Sequence, residues 1–129
     1  MYELKPADIR HEWSRIRPAL EQVHEEQRTD WIPEDIYHVV MSGRGRLWLS
    51  DDGFAVTQEG TNAFSGAPYL FVWVCYSWMD GSGFAKRYKG FMDRLARSGG
   101  FSYVETCSLS TAHTRLGFET NRIVYRKAV

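Results

Sequence analysis

The chain has 129 residues, which suits a single domain (residues 1–129) that can bury a core without disulfides or metal. Its 16 basic side chains balance 16 acidic ones, so no overall field attracts nucleic acid or a membrane, and a charged partner must meet a local patch. No apolar run reaches the roughly 18 residues of a membrane span, and the N-terminus lacks a signal-peptide core. We therefore expect a cytoplasmic protein.

Helical periodicity characterises the N-terminal part, residues 1–43. Apolar residues in the first 28 positions recur every three or four residues, which is the spacing of one helix face. Pro18 interrupts this pattern. Because proline removes a backbone donor from a helix interior, we expect two helical pieces, about 7–17 and 18–28, with a bend between them.

A sheet core is expected over residues 44–129. A third, short helix over about 33–42 leads into it, because Pro33 suits a first helical position and acidic residues follow. The Asp-Asp-Gly sequence at 51–53 is the strongest hairpin signal in the chain. It predicts antiparallel strands over 46–50 and 54–58.

The stretch from 69 to 98 is the centre of the predicted fold. Residues 69–77 are nearly all β-branched or aromatic, which is typical of a strand covered on both faces. A Gly-Ser-Gly turn at 81–83 then leads into an amphipathic helix over 84–98. A further strand over 101–107 should run parallel to the first through a right-handed crossover. Residues 110–116 are predicted to form a short helix or turn, and residues 121–127 a closing strand.

The glycine turn has two interpretations. It can be a tight connection in which Ser82 caps the helix, or it can hold a phosphate, because the first N–H groups of a helix have no intrahelical partner. Trp78 lies just before the turn. Gly90, inside the helix, indicates close approach to another backbone.

The solvent face of the same helix is basic. Asp93 alone opposes five basic residues, so the face is a solvated surface, a contact for a coenzyme phosphate, or a nucleic-acid contact. The basic residues are Lys86, Arg87, Lys89, Arg94 and Arg97.

Thiol and metal chemistry find little support in the sequence. Cys75 and Cys107 lie in apolar, strand-like runs, so we expect two buried free thiols, with a disulfide between neighbouring strands as the alternative. No cysteine or histidine stands at the spacing of metal ligands, so no metal is expected.

The order of these elements resembles the GCN5-related N-acetyltransferase (GNAT) superfamily, in the shortened form of small phage and prophage proteins. The resemblance covers about 34–129, and its most specific pieces are Met79-Asp-Gly-Ser-Gly83 and Arg115-Leu-Gly-Phe-Glu119. It implies an α+β fold with a mixed sheet: N-terminal helices, an antiparallel hairpin, a central strand, a glycine turn and helix, and C-terminal strands. It also implies acetyl-CoA or CoA as cofactor.

The resemblance assigns site residues as well. In the family, the central strand offers its backbone to the pantetheine arm, the glycine turn holds the pyrophosphate, and a tyrosine often protonates the leaving thiolate. Carried over, these roles fall to Val72 and Val74 for pantetheine, to Gly81, Ser82, Gly83, Phe84 and Ala85 for pyrophosphate, and to His113 as general acid.

Two classes of function follow. One is an acetyl-CoA-dependent N-acetyltransferase acting on a small-molecule or peptide amine. The other is an inactive GNAT-fold phage protein, acting as a virion component, as a binder of another protein or as a homodimer. Trp78 stands where the family has Gln or Arg, and the central strand lacks a carboxylate, which favours the second class. Trp78 would stack on the adenine of the coenzyme in an enzyme, or plug the groove in a non-enzyme. Nucleic-acid binding through helix 84–98 ranks third.

Overall fold

The computed structural model describes residues 3–108 and 115–129. A five-stranded sheet lies between two helices on one face and a third helix on the other. The elements, in chain order, are β1 (Lys5–Ala7), α1 (Ile9–Gln27), α2 (Pro33–Met41), β2 (Gly45–Leu49), β3 (Gly53–Thr61), β4 (Pro68–Ser77), α3 (Phe84–Gly99) and β5 (Tyr103–Thr106). The mixed sheet and its helices confirm the predicted α+β class.

The strands stand in the sheet in chain order, β1 to β5. The first three pairings are antiparallel, and the predicted hairpin is confirmed, with Leu49 opposite Phe54 at its end. The pairing of β4 with β5 is parallel, so α3 is the crossover helix that the sequence predicted. Strand β1 was not predicted. It is three residues long, includes Pro6, and exists only because β2 supplies a partner.

Two hydrophobic cores lie on opposite faces of the sheet. The core on the α1 and α2 side contains Ile16, Leu20 and Ile36. The core on the α3 side contains Tyr88 and Met92. Both faces of β4 are therefore covered, as its apolar sequence predicted.

Strand β4 contains a β-bulge at Trp73. Val72 pairs with Thr57 and Val74 pairs with Val56, so Trp73 is an extra residue opposite no partner. Side chains two positions apart in a strand normally share one face of the sheet, but those on either side of this bulge lie on opposite faces. Val72 belongs to the core under α3, whereas Val74 belongs to the core under α1 and α2.

Helix α1 is continuous through Pro18, so the predicted break into two pieces is wrong. Pro18 cannot donate to the carbonyl of Ser14, but both residues are exposed, and water can satisfy that carbonyl. The buried residues Ile9, Ile16 and Leu20 hold the two halves of the helix on one core. Burial of that face outweighs the local preference for a bend.

The predicted closing strand is also wrong. Residues 118–129 have no regular secondary structure, and Ile123, Val124 and Tyr125 are 66%, 81% and 87% exposed. The segment is tied to the α1–α2 loop by Arg126, whose guanidinium donates to both carboxylate oxygens of Asp30 at 2.8 Å. Strand propensity alone did not decide its conformation, because a strand needs a paired neighbour.

Gly90 does not approach another backbone, contrary to expectation. A Cβ placed there would meet only the end of the Arg94 side chain, at 3.2 Å from Nη1. The predicted buried face of α3 is otherwise confirmed, with Phe84 and Tyr88 buried and Phe91 packed against them. None of the described helices is long and apolar enough to cross a membrane.

Candidate cofactor site at the start of helix α3

Within residues 3–108 and 115–129, the second half of β4 has an open edge on the side of β5. Strand β5 pairs with β4 only from Tyr69 to Val72, whereas β4 continues to Ser77. At the last pair, Thr106 Oγ1 donates to the Val72 carbonyl at 3.0 Å. Val74 lies beyond this point, on the part of the strand that β5 does not cover. Of the two residues assigned to pantetheine, Val74 thus lies at the open edge and Val72 at its inner end.

The glycine turn leaves the start of α3 without a side-chain cap. The N-cap residue is Gly83, which has a left-handed conformation with φ of 82°. Because glycine has no side chain, it cannot accept a hydrogen bond from the first turn of the helix. Ser82 Oγ donates instead to the Met79 carbonyl at 3.0 Å, so the interpretation of Ser82 as the cap is wrong. Within the described chain, the first-turn N–H groups of Phe84 and Ala85 have no side-chain acceptor, and the helix dipole favours an anion there.

Gly81 gives access to these groups. Its φ of 72° lies in the left-handed region, and a Cβ placed there would meet no atom within 4 Å. A ligand can therefore approach the backbone of the turn closely. The five residues assigned to the pyrophosphate are consecutive around the helix start, and the backbone N–H groups of Phe84 and Ala85 suit a phosphate.

A buried ion pair fixes this surface to the β2–β3 hairpin. Asp52, in the hairpin turn, is 0% exposed and accepts a hydrogen bond from the Arg87 guanidinium. Arg87 Nη1 also donates to the Ser82 carbonyl at 3.0 Å, and Ser50 Oγ donates to Asp52 Oδ1 at 2.7 Å. Burial acts to raise the pKa of Asp52, but hydrogen bonds, among them those from Ser50 and Arg87, outweigh the burial and hold that pKa below its usual range.

Arg87 therefore differs from the other basic residues of α3. The sequence placed it with them on a solvent or ligand face, but its guanidinium holds Asp52 and the glycine turn together. Lys86, Lys89 and Arg94 are exposed, and Lys89 lies 3.5 Å from Asp93. The cationic surface that a ligand could reach is smaller than the sequence indicated.

Trp78 packs on the α1 side of the sheet. Its ring centroid lies 5.3 Å from that of Phe54, and the Arg15 guanidinium carbon lies 4.0 Å from the ring centroid. Its backbone N–H donates to the Asp52 carbonyl at 2.8 Å. This placement favours a packing role over the interpretation of Trp78 as a plug or as a platform for adenine.

Two polar groups lie under the open half of β4, on the α3 side. Cys75 is half-buried, and desolvation raises the pKa of its thiol, so the protonated form is favoured and nucleophilic chemistry is not. Tyr88 is 1% exposed, and its hydroxyl has no hydrogen-bond partner in the described residues. Burial, reinforced by nearby Cys75, raises the pKa of Tyr88. The prediction of buried thiols is wrong for Cys107, which is exposed, and both cysteines are free.

The proposed general acid, His113, lies outside the described residues, and so does most of the short helix or turn predicted over 110–116. The next described residues, Arg115 and Leu116, lie in a helical turn, and Leu116 packs against the core under α3. Within 3–108 and 115–129, no group of three or more histidine, cysteine or acidic residues could hold a metal ion.

Comparison with known proteins is informative only for the fold. No protein-family model matches the chain, and no curated protein matches it. Solved structures match over nearly their whole length. A putative acetyl transferase from Pyrococcus furiosus superimposes with a TM-score of 0.74 at 10% identity, covering 98% of this chain and 100% of that one.

Two further solved structures with different printed names have a similar fold. The ribosomal-protein-alanine N-acetyltransferase of Brucella melitensis biovar Abortus 2308 has a TM-score of 0.71 at 14% identity, covering 98% and 99% of the two chains. A transcriptional regulator from Bacillus halodurans C-125 has a TM-score of 0.75 at 10% identity, covering 100% of both. The chain therefore has the fold of GNAT-type acetyltransferases.

Proposed function

We propose that this chain binds acetyl-CoA and transfers its acetyl group to an amine. One observation carries the proposal: the uncapped start of α3 and the open edge of β4 lie at the two ends of one turn, residues 78–83. An anion-binding helix start beside an unpaired strand edge suits a ligand that carries both a pyrophosphate and an amide-containing arm. Structures with this fold named as acetyltransferases support the same choice.

In this proposal each part of the site has one task. The first-turn N–H groups of Phe84 and Ala85 donate to the pyrophosphate, and Gly81 and Gly83 leave room for it. The backbone at Val74 pairs with the pantetheine amides. When bound, acetyl-CoA supplies a thioester whose acetyl group passes to the amine nitrogen, with loss of an amine proton and release of the thiol. The coenzyme leaves as a thiolate, and His113 is the proposed donor of the proton that converts this thiolate to the thiol.

Tyr88 provides an independent test of fit. A buried hydroxyl without a partner is unfavourable, because the group has lost water and gained no hydrogen bond in return. Its raised pKa keeps the proton in place, so the hydroxyl is a donor for which the described residues supply no acceptor. A carbonyl-rich arm lying along the open edge of β4 is the kind of ligand that could satisfy it.

We expect the Gly81→Asp variant to weaken coenzyme A binding about tenfold, because a carboxylate at the turn repels the pyrophosphate. Aspartate tolerates the left-handed conformation of Gly81, and the added side chain meets no atom within 4 Å. Isothermal titration calorimetry with CoA measures the change. In a thermal-shift assay, CoA at 100 times its dissociation constant should stabilise the wild type by about 2.7 kcal/mol.

Gly66→Asp is the matched control. Gly66 has nearly the same conformation, with φ of 74°, and a Cβ placed there would also meet no atom within 4 Å, but it lies in the β3–β4 loop. The two variants should lose similar stability, and only Gly81→Asp should lose affinity. Wild-type protein that binds neither CoA nor acetyl-CoA would sink the proposal.

A homodimer is a second candidate, and the C-terminal segment favours it. Residues 121–127 have the composition of a strand yet expose Ile123, Val124 and Tyr125, and the outer edge of β5 has no strand partner in the described chain. Such an edge is a template for another strand. In this second proposal, residues 121–127 of one copy pair with β5 of another.

We expect Val124→Pro to convert such a dimer to a monomer, because proline cannot donate to the strand ladder and disfavours pairing. Size-exclusion chromatography with light scattering measures the mass. Ala128→Pro, just outside the segment, should leave the dimer intact. A wild-type protein that stays monomeric at every concentration tested would refute the dimer.

A further inference from the structure

A cavity of about 250 Å³, separate from the start of α3, lies on the face of the sheet that carries α1 and α2, at the N-terminal end of β4. Its lining combines two aromatic side chains, the carboxylate of Glu105 and the amide of Gln58, and it contains no lysine or arginine. Glu59 contributes its backbone, because it pairs with Leu70, whose side chain lies in the core under α3. The lining residues are Gln58, Glu59, Gly60, Tyr69, Phe71 and Glu105. Neither the sequence nor the fold assigns a role to this group.

The aromatic wall of the cavity is built by strand register. Phe71 lies opposite Glu105 in the β4–β5 ladder, so a ring and a carboxylate are neighbours on one face. The Tyr69 ring stacks on that of Tyr103, with 5.1 Å between centroids and 3° between planes. Gly60 is required beneath it, because a Cβ there would come within 2.5 Å of Tyr69 Cζ.

A hydrogen bond between neighbouring strands holds the amide of Gln58 in place. Trp73 Nε1 donates to Gln58 Oε1 at 2.8 Å, and the Trp73 ring meets that of Phe71 edge-on at 5.3 Å. Phe71 is thereby fixed between Trp73 and Glu105. A site made from strand residues braced in this way keeps its geometry without a ligand.

No cationic side chain in the described part of the chain pairs with the carboxylate of the cavity. Glu105 is half-buried, and neither Glu105 nor Glu59 forms a salt bridge with any residue of 3–108 or 115–129. Removing a carboxylate from water without a cationic partner is unfavourable. A cation in the cavity would pair with Glu105 and would also face the negative surfaces of the rings.

We propose that this cavity binds a protonated amine, with Glu105 accepting a charge-assisted hydrogen bond and Phe71 and Tyr69 providing aromatic contacts. The cavity lies one residue before Val72 and Thr106, the last pair of the β4–β5 ladder, so its occupant sits next to the open edge of β4. If the proposed acetyl transfer holds, the occupant is its acceptor: it binds as an ammonium and passes a proton to the Glu105 carboxylate before its nitrogen attacks the thioester. Amine binding itself requires no coenzyme.

The test is a titration of ¹⁵N-labelled protein, without coenzyme, with 2-phenylethylammonium and with its neutral analogue 2-phenylethanol. We expect the ammonium to shift the amide signals of Gly60, Phe71 and Glu105, and the alcohol to bind more weakly. Glu105→Gln should weaken ammonium binding about tenfold, the size expected for a hydrogen bond to a charged group. Glu25→Gln removes the same charge from an exposed site on α1 and should change nothing.

Phe71→Leu gives a second readout, because it keeps an apolar side chain and removes the ring. It should weaken binding of the ammonium about threefold and leave the alcohol unaffected. Equal losses in Glu105→Gln and Glu25→Gln, equal affinity for alcohol and ammonium, or signal shifts elsewhere would each overturn the proposal. CoA binding without amine binding overturns only this inference, whereas amine binding without CoA binding overturns only the acetyl-transfer proposal.

Discussion

Replacing Asp52 with asparagine should lower the free energy of unfolding by about 3 kcal/mol, which is a large share of the stability of a small domain. The change removes the charge that faces Arg87 and leaves a guanidinium beside a buried amide. We place the loss at the lower end for buried ion pairs because Arg87 keeps some access to solvent. Urea denaturation measures the difference, provided that the m-value is the same for the wild type and the variant.

Asp80→Asn is the control for this variant. Asp80 is exposed in the turn that precedes α3, so its replacement should change stability by less than about 0.5 kcal/mol. Arg87→Met offers a second view of the same pair. If Asp52→Asn proved as stable as Asp80→Asn, the ion pair would contribute little, and the hairpin would be held to α3 by apolar contacts alone.

The loss in Asp52→Asn should depend on pH. The pKa of Asp52 is lower in the folded protein than its ordinary value of 3.8, so the folded state binds this proton less readily than the unfolded state. The stabilisation is therefore complete above that value and disappears as the pH falls through the lower, folded pKa. The difference between wild type and Asp52→Asn should be constant near neutral pH and shrink below about pH 4.

Gly53→Ala should be at least as damaging, with a loss of about 3 kcal/mol in the free energy of unfolding. A Cβ at Gly53 would lie 2.4 Å from Phe84 Cε1 and 2.5 Å from the Tyr76 carbonyl oxygen. The second contact is with backbone in a neighbouring strand, so a rotamer change cannot relieve it. Thermal unfolding followed by circular dichroism measures the effect.

Gly53→Ala should also weaken CoA binding, because Phe84 is the first residue of α3 and the hairpin must move away from it. Gly90→Ala is the control, since its Cβ meets only the flexible end of Arg94 and alanine favours the helix. That variant should gain stability. A Gly53→Ala protein with wild-type stability would contradict the close packing of the hairpin against α3.

Local signals were enough to predict much of the fold. The Asp-Gly turn, the apolar run of β4 and the glycine turn before α3 each depend on neighbouring residues only. Three features could not be found this way. Strand β1 exists through pairing with β2, α1 stays continuous through burial of one face, and residues 121–127 lack a strand partner in the described chain. Each depends on contacts distant in sequence.

The candidate site divides in the same manner. The glycine turn was recognisable because Gly81 and Gly83 are local requirements of backbone conformation. The role of Arg87 was not, since its partner Asp52 stands 35 residues away. The cavity around Glu105 was missed for the same reason, because the register that sets Phe71 beside it spans a helix and two turns. The sequence pattern of a single helix or strand cannot predict a contact between residues of two different elements.

The order of strands in the sheet has a consequence for how the molecule can open. Strands β2, β3 and β4 form a meander whose two connections are short, so the entropy lost on closing those loops is small. The longer closures, across α1 and α2 and across α3, serve only the two edge strands. Release of α3 and β5 would therefore leave both short connections of the meander closed, although it would break the Asp52–Arg87 pair and open the core under α3. Both proposed sites lie where β4 meets α3 and β5. A ligand bound at either site would therefore stabilise the contact of α3 and β5 with the meander.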